Sequence, residues 1–272
     1  MHHHQSPRLT EIEVAEALGH PVSHLGSGTF GDTWRYGNRA IKILCGTEVE
    51  PVRVNREIEG LSRVRHENVV QFFGAKEVSF GGRSYVCLEF EFISGGDVQN
   101  RIEKEEWPNI QQVYLFCEAL LQGVQALQAS GTIHRDIKPG NIALRGGEWS
   151  SPVILDLGLS KQVDSRTLTL YPARLGSPAY MSPEQLNGER AKKVSDLWAI
   201  GVVVCHLILQ RHPFFGKNES ITPDELAQRV NNARVPIPVE TPGNLAEVLE
   251  RLTSITPNER GSTKSNLRRL RD

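Results

Sequence analysis

Little in this sequence points outside the cell or toward a strongly charged partner. The 272 residues carry a net charge of −1, which gives no argument for nucleic acid or an anionic membrane as the main partner. The four cysteines are scattered, with no Cys-x-x-Cys pair, as is typical of reduced packing residues in an intracellular protein. No secretory signal is present, so we expect a cytoplasmic protein. Because the net charge is close to zero, we expect no nucleic-acid partner.

The sequence also lacks an internal repeat, a long linker and a hydrophobic run that could span a bilayer. Its longest apolar run, 197–209, is interrupted by His206 and is too short for a membrane segment. We therefore expect no membrane segment and predict a buried core helix here, with Ser195 as its N-cap. Hydrophobic content of 39% and charged content of 23% are ordinary for a globular protein.

The first motif is a glycine-rich stretch followed by two strand-like segments. The pattern G-x-G-x-x-G at 26–31 is weak evidence alone, because it also fits a dinucleotide-binding turn. That turn requires a helix directly after the glycines, whereas residues 33–36 and 39–44 alternate as strands around a Gly37-Asn38 hairpin signal. Glycines lack side chains and let backbone amides approach phosphates, so this hairpin is a candidate phosphate site.

The second motif is the sequence His-Arg-Asp-Ile-Lys-Pro-Gly-Asn at 134–141. Its Pro-Gly pair cannot continue a helix or a central strand, so Asp136 and Asn141 are expected on one loop. Downstream, the apolar residues 153–155 predict a buried strand that carries Asp156 out at its end. Phosphoryl transfer to a hydroxyl needs such a set: a proton acceptor, a positive charge near the phosphoryl group and oxygen ligands for magnesium.

These stretches closely resemble the catalytic and metal loops of eukaryotic-type (Hanks-type) protein kinases. Further motifs follow in the family's order, namely the segment 176–184, Asp196 at the start of the apolar helix, and Arg260. The resemblance implies that Asp196 anchors the backbone of the catalytic loop and that Arg260 pairs with Glu184. Each motif alone is a weak match, but the ordered set, over roughly residues 20–262, is specific.

The resemblance implies an α+β, bilobal protein-kinase fold, with a small β-rich lobe that has one main helix, a larger mostly helical lobe, and ATP in the cleft between them. We expect one kinase domain over 10–272, with the small lobe at about 10–92 and the large lobe at about 97–272. Independently of the resemblance, helical periodicity from Asn109 to Ser130, ended by Gly131, predicts a long core helix.

Motif matches also imply roles for individual residues. Asp136 accepts the proton of the substrate hydroxyl, and Lys138 steadies the transferring phosphoryl group. Lys42, which without context would be an ordinary solvated strand charge, pairs with Glu57 and reaches the α- and β-phosphates. Glu57 belongs to a helix predicted over about 52–65.

The implied cofactors are ATP and Mg²⁺, with Mn²⁺ as an alternative, and the implied metal ligands are Asn141 and Asp156. A gap-free match places Phe90 at the back of the adenine pocket, but a second frame places Leu88 there; Asp97 is expected near the ribose. The residues expected to bind the nucleotide are Leu25, Gly26, Ser27, Gly28, Thr29, Phe30, Gly31, Thr33, Ala40, Lys42, Phe90, Glu91, Ile93, Asp97, Asn141, Ala143 and Asp156.

Lys138 within Asp-Ile-Lys-Pro-x-Asn resembles serine/threonine kinases, so the expected partner is a protein with serine or threonine acceptors. The amino-acid sequence of this loop is especially similar to that of bacterial members of the family. Arg135 stands directly before the catalytic aspartate, and the resemblance to family members with this arginine implies activation by phosphorylation of the downstream loop. Thr167 and Thr169 resemble the paired threonines that bacterial members autophosphorylate, so they are the expected sites of autophosphorylation through self-association, and Ser177 is a weaker candidate.

Two other functions fit parts of the sequence. A pseudokinase scaffold would use the fold to bind partners without chemistry, but every catalytic position is filled. A small-molecule phosphotransferase shares the catalytic logic, but such enzymes usually lack a docking segment like 177–184. Both remain alternatives to the protein kinase.

Overall fold

A computed structural model describes residues 8–28, 31–45, 58–156, 178–217, 219–232 and 234–272. The chain divides into two compact units. The first unit runs to His66 and includes Val70–Phe92, whereas the second consists of Glu67–Val69 and Ile93–Asp272.

The first unit is built on a five-stranded antiparallel sheet in the order β1-β2-β3-β5-β4. Its strands are β1 (Ser23–Gly28), β2 (Gly31–Tyr36), β3 (Arg39–Leu44), β4 (Phe72–Phe80) and β5 (Arg83–Glu91). The hairpin predicted at Gly37-Asn38 joins β2 to β3, and Gly37 has a φ of 56°, which glycine adopts without steric cost. Residues 58–62 are helical.

A short helix, α1 (Glu11–Leu18), precedes the sheet. It begins with a capping box, in which the Thr10 hydroxyl accepts the Glu13 N–H at 3.3 Å and the Glu13 carboxylate accepts the Thr10 N–H at 2.8 Å. Val14 on its inner face is completely buried. Together with strand residues it forms a core cluster of Leu9, Val14, Val22, Trp34, Ile41, Ile43, Phe80 and Cys87.

The second unit is mostly helical and contains a two-stranded antiparallel sheet. Its helices are α2 (Val98–Glu103), α3 (Ile110–Ala129), α4 (Pro183–Leu186), α5 (Lys193–Leu209), α6 (Pro223–Asn232), α7 (Gly243–Leu252) and α8 (Thr263–Arg271). The sheet pairs β6 (Ile142–Leu144) with β7 (Pro152–Ile154). A β-rich unit and a mostly helical unit confirm the predicted α+β class.

The long helix predicted from Asn109 to Ser130 is α3, and these two residues are its N-cap and C-cap. The side-chain Oδ1 of Asn109 accepts the Gln112 backbone N–H at 2.9 Å, and the Gln112 Oε1 accepts the Asn109 backbone N–H at the same distance. Gly131 has a φ of 81°, so the predicted left-handed residue after the helix is also confirmed.

The apolar run 197–209 lies within α5, which is buried on all sides as predicted. The predicted N-cap was wrong: α5 begins at Lys193, one turn earlier, and Ser195 lies inside its first turn. The Ser195 hydroxyl accepts the Lys192 N–H at 2.9 Å, a local bond within the first turn, and donates to the Glu184 carboxylate at 2.7 Å. No helix in the described stretches is long and apolar enough to cross a membrane.

Candidate active site

The loop that carries the second motif connects α3 to β6 in the second unit. It ends in a short 3₁₀ turn, Pro139–Asn141, in which the Asn141 N–H donates to the Lys138 carbonyl at 2.9 Å. The Asn141 carbonyl in turn accepts the N–H of Leu155, just after β7, at 2.8 Å. The loop is therefore held on a small hydrogen-bonded framework.

Asp196, at the start of α5, anchors the backbone of this loop as predicted. Its two carboxylate oxygens accept the N–H groups of His134 at 2.9 Å and of Arg135 at 2.8 Å. Burial raises the pKa of Asp196, while His134 and the two N–H donors act in the opposite direction. The Gln185 side chain adds a further hydrogen bond, to the Arg135 carbonyl at 3.2 Å, which the motif did not indicate.

His134 has a structural role that sequence reasoning missed. Its buried ring donates through Nε2 to the Leu155 carbonyl at 2.8 Å and accepts the Asp136 N–H at Nδ1 at 3.3 Å. The ring nitrogens are assigned from these partners. Because Leu155 directly precedes Asp156, His134 connects the catalytic loop to the segment that presents the second carboxylate.

The loop brings Asp136, Lys138 and Asn141 together. The Lys138 ammonium donates to Asp136 Oδ2 at 2.8 Å, and the Asn141 amide donates to the Asp136 carbonyl at 2.8 Å and to Oδ2 at 3.2 Å. The Asp136 and Lys138 side chains remain 20% and 24% exposed, so a substrate can reach them. A carboxylate acceptor, a cation and an amide thus share one accessible site.

Asp156 follows β7, which pairs antiparallel with β6. Ile142 pairs with Ile154, so Asn141 and Asp156 lie at the same end of this small sheet. Asp156 has a φ of 46°. Positive φ is uncommon for residues other than glycine, and such residues cluster at functional sites. Its carboxylate and the Asn141 amide oxygen are hard oxygen donors of the kind that Mg²⁺ prefers.

A magnesium ion fits this pair. The Asn141 amide nitrogen is engaged by Asp136, which leaves the carbonyl oxygen of the same side chain as the donor for a cation. No cluster of three or more His, Cys, Asp or Glu side chains occurs among the residues that the structure describes. Mg²⁺ usually takes one or two protein ligands, with phosphates and water as the rest, so a larger cluster is not required.

In the first unit, strand register places several predicted nucleotide-binding residues on one face of the sheet. Lys42 pairs with Thr33 on one side and with Leu88 on the other, and Ala40 pairs with Phe90. Because cross-strand partners point to the same face, all five share it. Leu88 and Phe90 are two positions apart, so register leaves the choice between them open.

Some predicted residues lie outside the described residues. Thr29 and Phe30 of the glycine-rich stretch, and Glu57, are among them, so the Lys42–Glu57 pair stays a prediction.

A family model of the protein kinase domain matches residues 20–269. The chain belongs to the protein kinase family. The predicted family and its α+β protein-kinase fold are therefore confirmed. The curated relatives include serine/threonine kinases, in line with the predicted class.

Three curated relatives illustrate the similarity. A "Probable serine/threonine-protein kinase" of Dictyostelium discoideum is 30% identical over 267 residues, which cover 95% of this chain and 28% of the relative. Serine/threonine-protein kinase ATG1a of Arabidopsis thaliana is 31% identical over 204 residues, 71% of this chain and 32% of the relative. Aurora kinase of Encephalitozoon cuniculi is 27% identical over 248 residues, 87% of both. The kinase domain thus spans only a minor part of the first two relatives.

Other predicted nucleotide-binding residues of the kinase also have structural roles. Asp97, expected near the ribose, is the N-cap of α2 and accepts the Asn100 N–H at 2.8 Å. The Glu91 side chain accepts the Gln71 N–H at 2.9 Å. Ile93 and Ala143 are buried, Leu25 is exposed, and Ser27 lies on β1 with its hydroxyl 2.9 Å from a His24 ring nitrogen.

The glycines of the phosphate-covering stretch differ in what surrounds them. A Cβ on Gly31 would lie 1.9 Å from the Ile43 carbonyl oxygen, so packing within the sheet requires glycine there. A Cβ on Gly26 would meet no described atom within 4 Å, and one on Gly28 would meet only the Gly31 carbonyl at 3.9 Å. Packing therefore explains glycine at Gly31 but not at Gly26 and Gly28. At these two positions, close approach of a ligand is the reason that fits.

The predicted partner of Glu184 is confirmed as Arg260. Two guanidinium nitrogens donate to the two carboxylate oxygens at 2.7 and 2.9 Å, and both side chains are buried. Burial raises the pKa of Glu184, but hydrogen bonds from Arg260 and Ser195 outweigh it and leave the pKa below its ordinary value. This buried ion pair connects α4, which contains Glu184, to the 3₁₀ turn Pro257–Arg260 of the kinase.

Proposed function

We propose that this kinase domain transfers the γ-phosphoryl group of ATP to serine and threonine hydroxyls of proteins, with Mg²⁺ as the metal. The observation that carries the proposal is the contact of Asp136 with both Lys138 and Asn141 on a loop anchored by Asp196. Positioning and electrostatic stabilisation account for most of the catalysis in phosphoryl transfer, and this site is built for both.

Asp136 is the proposed proton acceptor. Its carboxylate is held in place through the loop backbone, and it can orient the substrate hydroxyl while accepting the proton as the oxygen attacks phosphorus. Lys138, 2.8 Å from Asp136 Oδ2, is the proposed cation that stabilises negative charge on the transferring phosphoryl group. Lys42 on β3 is proposed to bind the α- and β-phosphates.

Asn141 and Asp156 are the proposed metal ligands. A bound Mg²⁺ would neutralise phosphate charge and align the nucleotide. The two residues lie at one end of the β6–β7 pair, so the hydrogen-bonded framework that holds Asp136 also fixes them. Glycines 26 and 28 are proposed to let the backbone approach the phosphates.

A transfer assay with labelled ATP tests the proposal. The protein is incubated with magnesium and a generic protein substrate, and phosphoserine and phosphothreonine are measured by amino-acid analysis. We expect magnesium-dependent label on both residues. ATP binding without transfer would instead indicate a pseudokinase scaffold, and transfer to small-molecule hydroxyls alone would indicate a small-molecule phosphotransferase.

We further propose autophosphorylation on Thr167 or Thr169, through self-association of two copies. Both threonines lie outside the described residues, and the support comes from Arg135. Its backbone N–H is bonded to Asp196, and no described residue forms a salt bridge with its guanidinium, so a phosphate is a suitable partner. Peptide mass spectrometry after incubation with ATP should find phosphate there, and replacing both threonines with alanine should lower activity. Unmodified threonines in a fully active enzyme would refute this.

A further inference from the structure

The glycine-rich hairpin has a buried carboxylate beside it. Asp32 on β2 is 0% exposed and directly follows Gly31. It pairs with Ile43 and lies two positions from Trp34, so it points to the face opposite Lys42. A buried carboxylate is costly unless hydrogen bonds or an opposite charge compensate for it.

Arg8 supplies this compensation from outside the sheet. Its backbone N–H donates to Asp32 Oδ2 at 2.6 Å, and its Nη1 donates to Oδ1 at 3.2 Å. The other arm of the guanidinium, Nη2, donates to the Gly28 carbonyl at 3.0 Å. One side chain therefore connects the buried carboxylate on β2 to the last residue of β1.

The segment around Arg8 is itself fixed to the first unit. Leu9, the next residue, is buried in the core cluster, and Thr10 caps α1, whose Val14 joins the same cluster. The residues that follow Arg8 are thus held by the core cluster and by the start of α1, and they fix the position of Arg8 in the chain. The backbone and the side chain of the arginine converge on Asp32.

We propose that Arg8 is a positioning residue for the nucleotide. By holding Gly28 against Asp32, it preorganises the end of β1 so that less order must be imposed when phosphates bind. The inference rests on the proposed function of the glycine-rich stretch in ATP binding. Arg8 contacts this stretch from the face opposite Lys42, so it acts on the position of the stretch and not on the reacting groups. Its loss should therefore affect nucleotide affinity more than the chemical step.

Three variants test the inference in the full chain. Arg8→Ala removes both arms, and Arg8→Lys keeps the charge near Asp32 but lacks the fork that reaches two acceptors. Arg63→Ala is the control, because Arg63 in the same unit forms an exposed ion pair with Glu59, with side chains 62% and 64% exposed. The measurements are KM for ATP, kcat, and amide hydrogen exchange of peptides covering residues 23–36 without nucleotide.

We expect Arg8→Ala to speed exchange in 23–36 and to raise the KM for ATP roughly three- to tenfold, with kcat changed less than about twofold. Arg8→Lys should fall between Arg8→Ala and the wild type, and Arg63→Ala should match the wild type. Faster exchange with an unchanged KM for ATP would overturn the inference and leave the kinase function standing. A wild-type chain that does not bind ATP would overturn both the inference and the kinase function.

Discussion

Replacing Glu184 with glutamine would leave the guanidinium of Arg260 charged and buried without its carboxylate partner. The Arg260 side chain is 0% exposed and that of Glu184 is 3% exposed, so water cannot replace the lost interaction. Breaking a buried ion pair by removing one partner costs about 3–5 kcal/mol. For a chain of this size, that cost corresponds to a fall in Tm of roughly 6–20 °C.

A matched control is available in the same unit. Glu247 on α7 pairs with Arg269 on α8, but the two side chains are 52% and 38% exposed. Glu247→Gln should therefore cost only about 0–1 kcal/mol. Thermal unfolding followed by circular dichroism compares the two variants directly. The double variant of Glu184→Gln with Arg260→Gln completes a mutant cycle that measures the coupling of the pair.

The pH dependence gives a second test of the same ion pair. The pKa of Glu184 in the folded protein lies below its ordinary value of 4.5, because the bonds from Arg260 and Ser195 outweigh burial. Its stabilising contribution is full above the ordinary pKa and is lost as the pH falls through the folded pKa. The Tm difference between wild type and Glu184→Gln should therefore shrink as the pH falls from 4.5 through the lower pKa that Glu184 has in the folded protein. Equal Tm values for Glu184→Gln and Glu247→Gln at neutral pH would refute the reasoning.

Two further predictions concern the first unit. Lys42→Met should abolish phosphate transfer, whereas Glu57→Gln should weaken it less, because Glu57 only orients the lysine; full activity of both variants in the transfer assay would argue for a scaffold. Gly31→Ala should lower the Tm because its Cβ would clash with the Ile43 carbonyl, whereas Gly26→Ala should keep the Tm and raise the KM for ATP. A Gly31→Ala protein as stable as the wild type would contradict the packing argument.

Local signals account for the elements that the sequence predicts well. The Gly37-Asn38 turn and the extent of α3 depend on residues close in sequence, so both could be predicted from the sequence. Helix α1 was not predicted because its glutamates and apolar residues alternate over a short stretch, and the capping box at Thr10 decides its conformation. Ser195 has the chemistry of an N-cap, but its bond to Glu184 is a long-range contact that spacing does not reveal.

The candidate site shows the same division. Motif order identified Asp136 and Asn141, and it also indicated that Asp196 holds their loop. The contact of His134 with the Leu155 carbonyl and the contact of Gln185 with the loop backbone were missed, because each depends on segments that fold together from distant parts of the chain.

Asp136→Asn tests most directly whether Asp136 accepts the proton of a protein hydroxyl. Turnover on a protein substrate and the Kd of Mg-ATP are measured separately for wild type and variant, with Asp156→Asn as the variant expected to lose magnesium-dependent nucleotide binding and activity together. We predict that Asp136→Asn lowers turnover by roughly 10²–10⁴ and leaves the Kd nearly unchanged. Wild-type turnover by Asp136→Asn would contradict the assignment.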